Sequence, residues 1–333
     1  MSRTQISDFL VDEVTEHVYI RETYGKTLVE LGREYPSIVV LDADLTVSTK
    51  TNLFGKEFPN RFFTMGVSEQ DMMGTAAGFA LSGKIPFAST FAIFATGRAW
   101  EHVRQSIVFP KLNVKIVATH AGVTVGEDGA THQALEDIAL MRVLPNMTVI
   151  VPADAVETEK VIRTIVNHKG PTYVRLARAK FPTIFKKSYE FEIGKARVLR
   201  EGKHVTIFAV GIMVCEALEA SKILEREGIS ACVVNVSTVK PIDVESIVKA
   251  ASSTGAVVTA EDHNIIGGLG GAIAEVLGEN YPTPMKRIGM NDRFGTSGDG
   301  LQLLEYFGLK ARNIVQAVHE LLEFNTQKKS VVL

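Results

Sequence analysis

The 333-residue chain has two cysteines, one tryptophan and no excess of either charge, with 36 Lys and Arg against 38 Asp and Glu. Cys215 and Cys232 both stand among apolar neighbours, too few for a disulfide framework and without metal-ligand spacing. They read as buried free thiols in a reducing compartment. A net charge of −2 leaves no basic footprint for nucleic acid or an anionic membrane. No apolar run approaches the ~18 residues that span a bilayer, and the N-terminal MSRTQISDFLVDEV has no apolar signal core. Repeats and low-complexity tracts are missing as well. These absences point to a soluble, cytoplasmic protein of ordinary globular domains.

What is present is an alternation of helical and strand-like segments, the pattern of an α/β protein with mainly parallel sheets. The spacing of Val18, Leu28 and Leu31 predicts a helix over Val11–Arg33. Strands are expected at Ser37–Leu41, Phe87–Ser89, Val114–Ala118, Thr148–Val151 and Thr172–Arg175, with helices at Ser68–Leu81, Ala99–Ile107 and Ala155–Asn167. Small residues crowd the first of these helices, from Gly74 to Ala80, and allow close packing against a neighbour. The pattern breaks at Phe181–Glu192, which places a domain boundary near residue 185 and gives two α/β domains, 1–185 and 186–333. Beyond it come strands at Val205–Ala209, Ala231–Asn235 and Ala256–Thr259, with helices at Cys215–Glu227 and Val244–Ala250, and Ala272–Leu277 continues the α/β pattern. The tail after Phe324 is expected to fray.

Three stretches have the residue types of a site. The loop Gly126–Gln133 (GEDGATHQ) follows a strand that ends at Thr119-His120, so two histidines and two acids gather beyond the carboxyl end of a parallel strand, where α/β sheets bind ligands. Gly122, Gly126 and Gly129 let that backbone turn sharply. Glu69 follows Ser68 at a helix entrance, where by itself it reads as half of an N-terminal capping pair. Phe91 and Phe94, three apart, could share one aromatic face, although core packing is the commoner reason for such a pair.

Taken in order, the stretches Asp44–Ser48 (DLTVS), Gly66–Glu69 (GVSE), Ser89–Phe94 (STFAIF), Thr119-His120, Gly126–Gln133, Leu176–Arg178 (LAR), Glu261–Asn264 (EDHN) and Gly267–Gly270 (GGLG) resemble the C-terminal half of transketolase over nearly the whole chain. The resemblance implies a pyrimidine-binding domain followed by a transketolase C-terminal domain, and a thiamine diphosphate enzyme. It implies that Glu69 bonds N1′ of the aminopyrimidine and so promotes loss of the C2 proton, with the cofactor carrying the hard chemistry. It also implies that Phe91 and Phe94 line the pyrimidine pocket. A third aromatic of the family pattern is replaced by Gly97, close to Trp100. Arg21, Ser48 and Arg178 match substrate-phosphate residues, for which an arginine fork is well suited. His120 and His132 match residues near the sugar hydroxyls and phosphate or in proton transfer, and Asp128 matches the acid that recognises a substrate hydroxyl.

The family holds its diphosphate through Mg²⁺ on a Gly-Asp-Gly motif with a later Asn. Gly298-Asp299-Gly300 and Asn325 imitate that spacing, but Leu301–Phe307 and Ala311–Phe324 read as helices where the motif needs strands. No metal site is therefore assigned to this chain. The resemblance implies the smaller subunit of a split transketolase, its Mg²⁺ and diphosphate held by an N-terminal partner subunit in a heterotetramer; the small residues of Gly74–Ala80 offer a packing surface for that contact. The expected reaction moves a two-carbon ketol unit from a ketose phosphate to an aldose phosphate, by default in the pentose phosphate pathway. The alternatives are a deoxyxylulose phosphate synthase, which typically has Asp-Arg at Thr119-His120, a 2-oxo acid dehydrogenase beta subunit, and a non-catalytic interaction protein.

Overall fold

Uninterrupted apolar runs with β-branched residues make the central strands, as expected for a sheet covered on both faces. The structure, a computed structural model, describes residues 7–331. Its larger sheet has seven strands in the order Thr238–Lys240, Thr148–Ile150, Thr172–Ala177, Lys115–Ala121, Ile85–Ser89, Ile38–Asp42, Phe62–Thr64. All neighbours pair in parallel except the first, which runs antiparallel to Thr148–Ile150. A second sheet of five strands has the order Met285–Met290, Val257–Asn264, Val205–Ala209, Ala231–Asn235, Arg197–Arg200, the last antiparallel. The α/β class read from the sequence is the architecture found.

The parallel strands dictate where a site can form. Because five neighbouring strands run the same way, the turns after Asp42, Thr64, Ser89, Ala121 and Ala177 all emerge on one edge of the sheet. Those turns carry Ser48, Glu69, Phe91 with Phe94, the 122–133 loop, and Arg178. Arg21 arrives differently. The helix expected from Val11 starts only at Ile20, because His17–Tyr19 forms a strand antiparallel to Lys180–Pro182. That small ribbon brings the first turn of the helix Ile20–Glu34 beside the strand end that bears Arg178.

Packing joins the two halves of the chain. The helix Ala155–Asn167 buries Val161, Ile162, Ile165 and Val166 and is capped by Asp154, whose carboxylate accepts from Glu157 N at 2.8 Å. The other oxygen of Asp154 accepts from Ile184 N and Phe185 N, both at 2.8 Å, so the connecting segment is fastened to the first sheet. Phe185 and Tyr189 stack at 4.1 Å and are buried, each side chain contributing roughly 1.5–3 kcal/mol of apolar burial. The edge strand Thr238–Lys240 comes from beyond this connection, so the later part of the chain completes the earlier sheet.

Several expectations need correction. Ala99–Ile107 is a composite: π-helical turns at Phe94–Arg98 and Val103–Val108 flank a short α-helical piece, Trp100–His102. Ser68 makes no side-chain cap; its hydroxyl donates to Met65 O at 2.6 Å. Where a frayed tail is expected after Phe324, the helix Ala311–Val331 continues, meeting no Gly or Pro; residues 332–333 lie outside the described residues. In the helix Glu69–Leu81, Ala76 and Ala77 face the core, whereas Gly74 and Gly78 face open space.

Candidate active site

Glu69 is almost fully buried, 1% exposed, and its carboxylate does not serve as a helix cap. Both oxygens accept from Arg98 Nη1, at 2.9 and 2.8 Å. Arg98 sits at the end of the π-helical turn, where its guanidinium also lies 4.4 Å from the centre of the Phe94 ring. Such turns add a residue to the helical repeat and recur at functional sites. The sequence reading missed Arg98; its position directly after Gly97, where the expected aromatic is absent, was the available signal. A Cβ on Gly97 would meet only Ile93, at 3.8 Å, so space remains at that point. Trp100 does not fill it: its indole N–H donates to Leu140 O at 2.8 Å.

Phe91 and Phe94 lie nearly parallel, with centroids 6.0 Å apart and an interplanar angle of 13°. His120 stacks on Phe91 at 3.8 Å, and His132 meets Phe94 edge-on at 5.3 Å. The four rings therefore make one cluster from two strand ends. His120 is buried, holds a left-handed backbone conformation with φ of 59°, and pairs Nδ1 with the Thr119 hydroxyl at 2.8 Å. Burial, reinforced by the charges of Arg21 and Arg178 and by His132, pushes its pKa down to about 3, so the imidazole stays neutral at physiological pH.

The two arginines form the other side. Arg21 Nη1 donates to the carbonyl of Ser48 at 2.9 Å, so it is the backbone of Ser48 that Arg21 engages. Arg21 Nε is buried without a hydrogen-bond partner, a donor that an anionic oxygen would satisfy. Arg178 Nη1 donates to Val125 O and to the exposed carboxylate of Glu127, whose pKa it lowers. Ser48 is held indirectly by Asp42, whose carboxylate accepts from Leu45 N at 2.7 Å, Thr49 Oγ1 at 2.6 Å and Thr51 Oγ1 at 2.8 Å. Asp128 is exposed near the end of the 3₁₀ segment Val123–Asp128. Thus one sheet edge gathers Glu69, Phe91, Phe94, His120, His132, Arg21, Arg178 and the Ser48 turn.

The residue types suit an aminopyrimidine: a buried carboxylate, paired in this structure with Arg98, that can accept from a ring N–H, beside aromatic faces. Asp299 Oδ1 caps the helix Gly300–Tyr306, accepting from Leu301 N at 3.1 Å and Gln302 N at 3.0 Å. Among the described residues no group of three or more His, Cys, Asp or Glu is arranged to hold a metal ion.

Comparison with known proteins identifies the family. Residues 16–183 match the family model of the transketolase pyrimidine-binding domain, and residues 194–314 match that of the transketolase C-terminal domain. A chain of Methanocaldococcus jannaschii, described provisionally as a transketolase C-terminal section, is 55% identical over 90% of this chain and 95% of its own length. The 6-deoxy-6-sulfo-D-fructose transketolase subunit SqwH of a Clostridium species is 45% identical, over 93% of this chain and 96% of that one. A solved split gene transketolase, an inactive beta4 tetramer, superposes with a TM-score of 0.85 at 58% identity, covering 91% of this chain and 98% of its own. The chain belongs to the transketolase family, whose general reaction is ketol transfer, and corresponds to the C-terminal subunit of its split members.

Proposed function

We propose that the ring and arginine cluster is the pyrimidine-side half of a thiamine diphosphate site, completed by an N-terminal transketolase subunit that holds the diphosphate and Mg²⁺. The observation that carries this reading is the buried Glu69 carboxylate beside Phe94 at the same sheet edge as the Arg21 and Arg178 pair. When bound, the cofactor supplies the carbon nucleophile for ketol transfer. Glu69 would hold the proton at pyrimidine N1′, and Phe91 and Phe94 would pack against the flat ring. Neutral His120, with Nδ1 engaged by Thr119, keeps Nε2 for a substrate hydroxyl; His132 and Asp128 would complete the hydroxyl contacts. Arg21 and Arg178, with the Ser48 turn, would grip a terminal anion. The interface would use the Gly74 and Gly78 side of the helix Glu69–Leu81, near exposed Val67 and Leu81.

The substrate class is a sugar ending in an anionic group. Relatives are named for 6-deoxy-6-sulfo-D-fructose and for apulose-4-phosphate, so pentose phosphates are one choice within that class, to be compared directly with a sulfonated ketose. The site is proposed to work in a cytoplasmic heterotetramer with two copies of each chain; no helix among the described residues is long and apolar enough to cross a membrane. The similar split gene transketolase solved as a beta4 tetramer is inactive, which supports a need for the partner.

The test is calorimetry with thiamine diphosphate and a coupled ketol-transfer assay, each with and without the partner. The chain alone should bind weakly and turn over nothing at any Mg²⁺ concentration, and the partner should restore both together. Glu69→Ala should abolish turnover in the pair while the fold persists. Turnover by the isolated chain would overturn the divided site, and near-normal transfer by Glu69→Ala would overturn the cofactor contact.

A further inference from the structure

The 122–133 loop, which carries Asp128 and His132 and braces Arg178, is not held by its own sheet alone. Gln133 is 2% exposed, and its amide nitrogen donates to Val123 O at 3.1 Å and to Thr296 O, in the later half of the chain, at 3.0 Å. It therefore ties the two ends of the loop together and to an outside segment with one side chain. Contact along that segment is tight. A Cβ on Gly295 would lie 1.8 Å from Gln133 Oε1, and one on Gly129 would lie 2.4 Å from Ser297 Oγ. At Gly126 the same atom would be 3.1 Å from Arg178 Nη1 and 3.2 Å from Gly298 O, so backbone from 295–300 lies against the very turn that Arg178 grips. The base of the loop is fastened likewise: Asp262 accepts from Val123 N at 3.0 Å, and Arg175 Nη2 donates to Ala134 O at 3.1 Å and Asp262 O at 2.7 Å.

A glycine-rich loop left to itself would sample many conformations, and a substrate would have to bear the ordering cost. We infer that Gln133 is a positioning residue through which the 295–300 segment of the C-terminal half presets the loop, so that His132, Asp128 and Arg178 stand ready for the sugar anion. This rests on the functional reading above for what the loop binds, but the preordering itself is a property of the chain alone. It gives a mechanical role to the Gly295–Gly300 segment, which resembles a metal motif only in its letters. Glycine is needed at 295 because the Gln133 amide packs against it, and at 300 because a Cβ there would lie 2.8 Å from Thr124 O.

The experiment is hydrogen exchange on the isolated full-length chain, with Gln133→Met and Gly295→Ala as independent variants. Gln133→Met keeps the length and removes both hydrogen bonds; Gly295→Ala leaves the loop's sequence intact and displaces the amide. Each should raise exchange of the 123–132 amides by about tenfold while the strands Lys115–Ala121 and Val205–Ala209 keep their protection. Added to Gln133→Ala, Gly295→Ala should have no further effect, since its target is gone. In the assembled pair, Gly295→Ala should raise KM for a phosphorylated ketose more than for hydroxypyruvate. Unchanged loop exchange in both variants, a rise spread over both sheets, or additive effects in the double variant would each overturn the inference. If exchange responds as expected but the wild-type pair shows no ketol transfer, the functional reading fails and the positioning role stands.

Discussion

At the residue scale the chemistry depends on which buried charges have partners. Glu69 is almost fully buried, yet its partner Arg98 is 45% exposed, so the pair joins a buried carboxylate to a half-solvated cation. Removing the cation leaves the carboxylate buried and unmatched, at a cost of about 1–3 kcal/mol. Arg98→Ala should lower the stability of the isolated chain by that amount in denaturant melts, and adding Glu69→Gln should recover part of it, because a neutral amide is cheaper to bury. Unchanged stability in Arg98→Ala would mean that Glu69 is satisfied by solvent. Arg178 works differently, since its proposed value lies in one ligand group. Loss of a charge-assisted clamp on phosphate should raise KM for phosphorylated donors about 10- to 100-fold, with much less effect on hydroxypyruvate. Equal losses for both donors would make Arg178 a brace for Val125 and nothing more.

At the element scale the helix Ala155–Asn167 and the connecting segment share a buried acid. Glu157 accepts from Ala153 N at 2.7 Å, Tyr189 Oη at 2.7 Å and Asn235 Nδ2 at 2.9 Å, linking first sheet, connection and second sheet. Burial nevertheless dominates and raises its pKa to about 7. The folded protein therefore binds this proton more tightly than the unfolded chain. Stability from this group is fully present below the unfolded value of about 4.5, falls as pH rises towards about 7, and is level above it. The free-energy gap between wild type and Glu157→Gln should shift in favour of the variant by on the order of 3 kcal/mol across that window. Chemical denaturation at half-unit pH steps measures it; a gap independent of pH would show that the group does not titrate there. Any constant offset reflects the altered hydrogen bonds and does not bear on the slope.

At the scale of the whole molecule, the strand Thr238–Lys240 crosses from the later half of the chain to pair with Thr148–Ile150. A fragment ending near residue 193 would lose that cover and expose a paired edge, which invites association with other chains. Full-length protein should unfold in a single calorimetric transition, whereas the 1–193 fragment should aggregate or fail to fold when expressed alone. Two separated transitions in the intact chain, or a soluble cooperative fragment, would show that the crossing strand is dispensable. The same interlocking places the 295–300 segment against the 122–133 loop, so the later half of the chain helps shape a site whose side chains belong to the earlier half.

The sequence by itself determined what depends on neighbours a few positions apart. Helix Ala155–Asn167 and strands Val205–Ala209 and Ala231–Asn235 match their expected bounds, because hydrophobic period and capping are local. The candidate residues Glu69, Phe91, Phe94, His120 and His132 take their roles only through the resemblance of their short stretches to a family; by local pattern alone Glu69 reads as a helix cap and the two phenylalanines as core. Weak strands were not legible: His17–Tyr19, Phe62–Thr64 and Thr238–Lys240 are only three residues long and exist because a partner strand lies alongside. The π-helical turns around Trp100 were hidden too, since a regular helical period fits the same letters. Partnerships across the fold escaped altogether. Arg98 lies 29 positions from Glu69 and Thr296 lies 163 from Gln133, and nothing local links either pair. Only the tertiary structure decided them, because which strand ends become neighbours depends on the joint packing of both sheets, and a buried polar group takes the partner that this packing brings within reach.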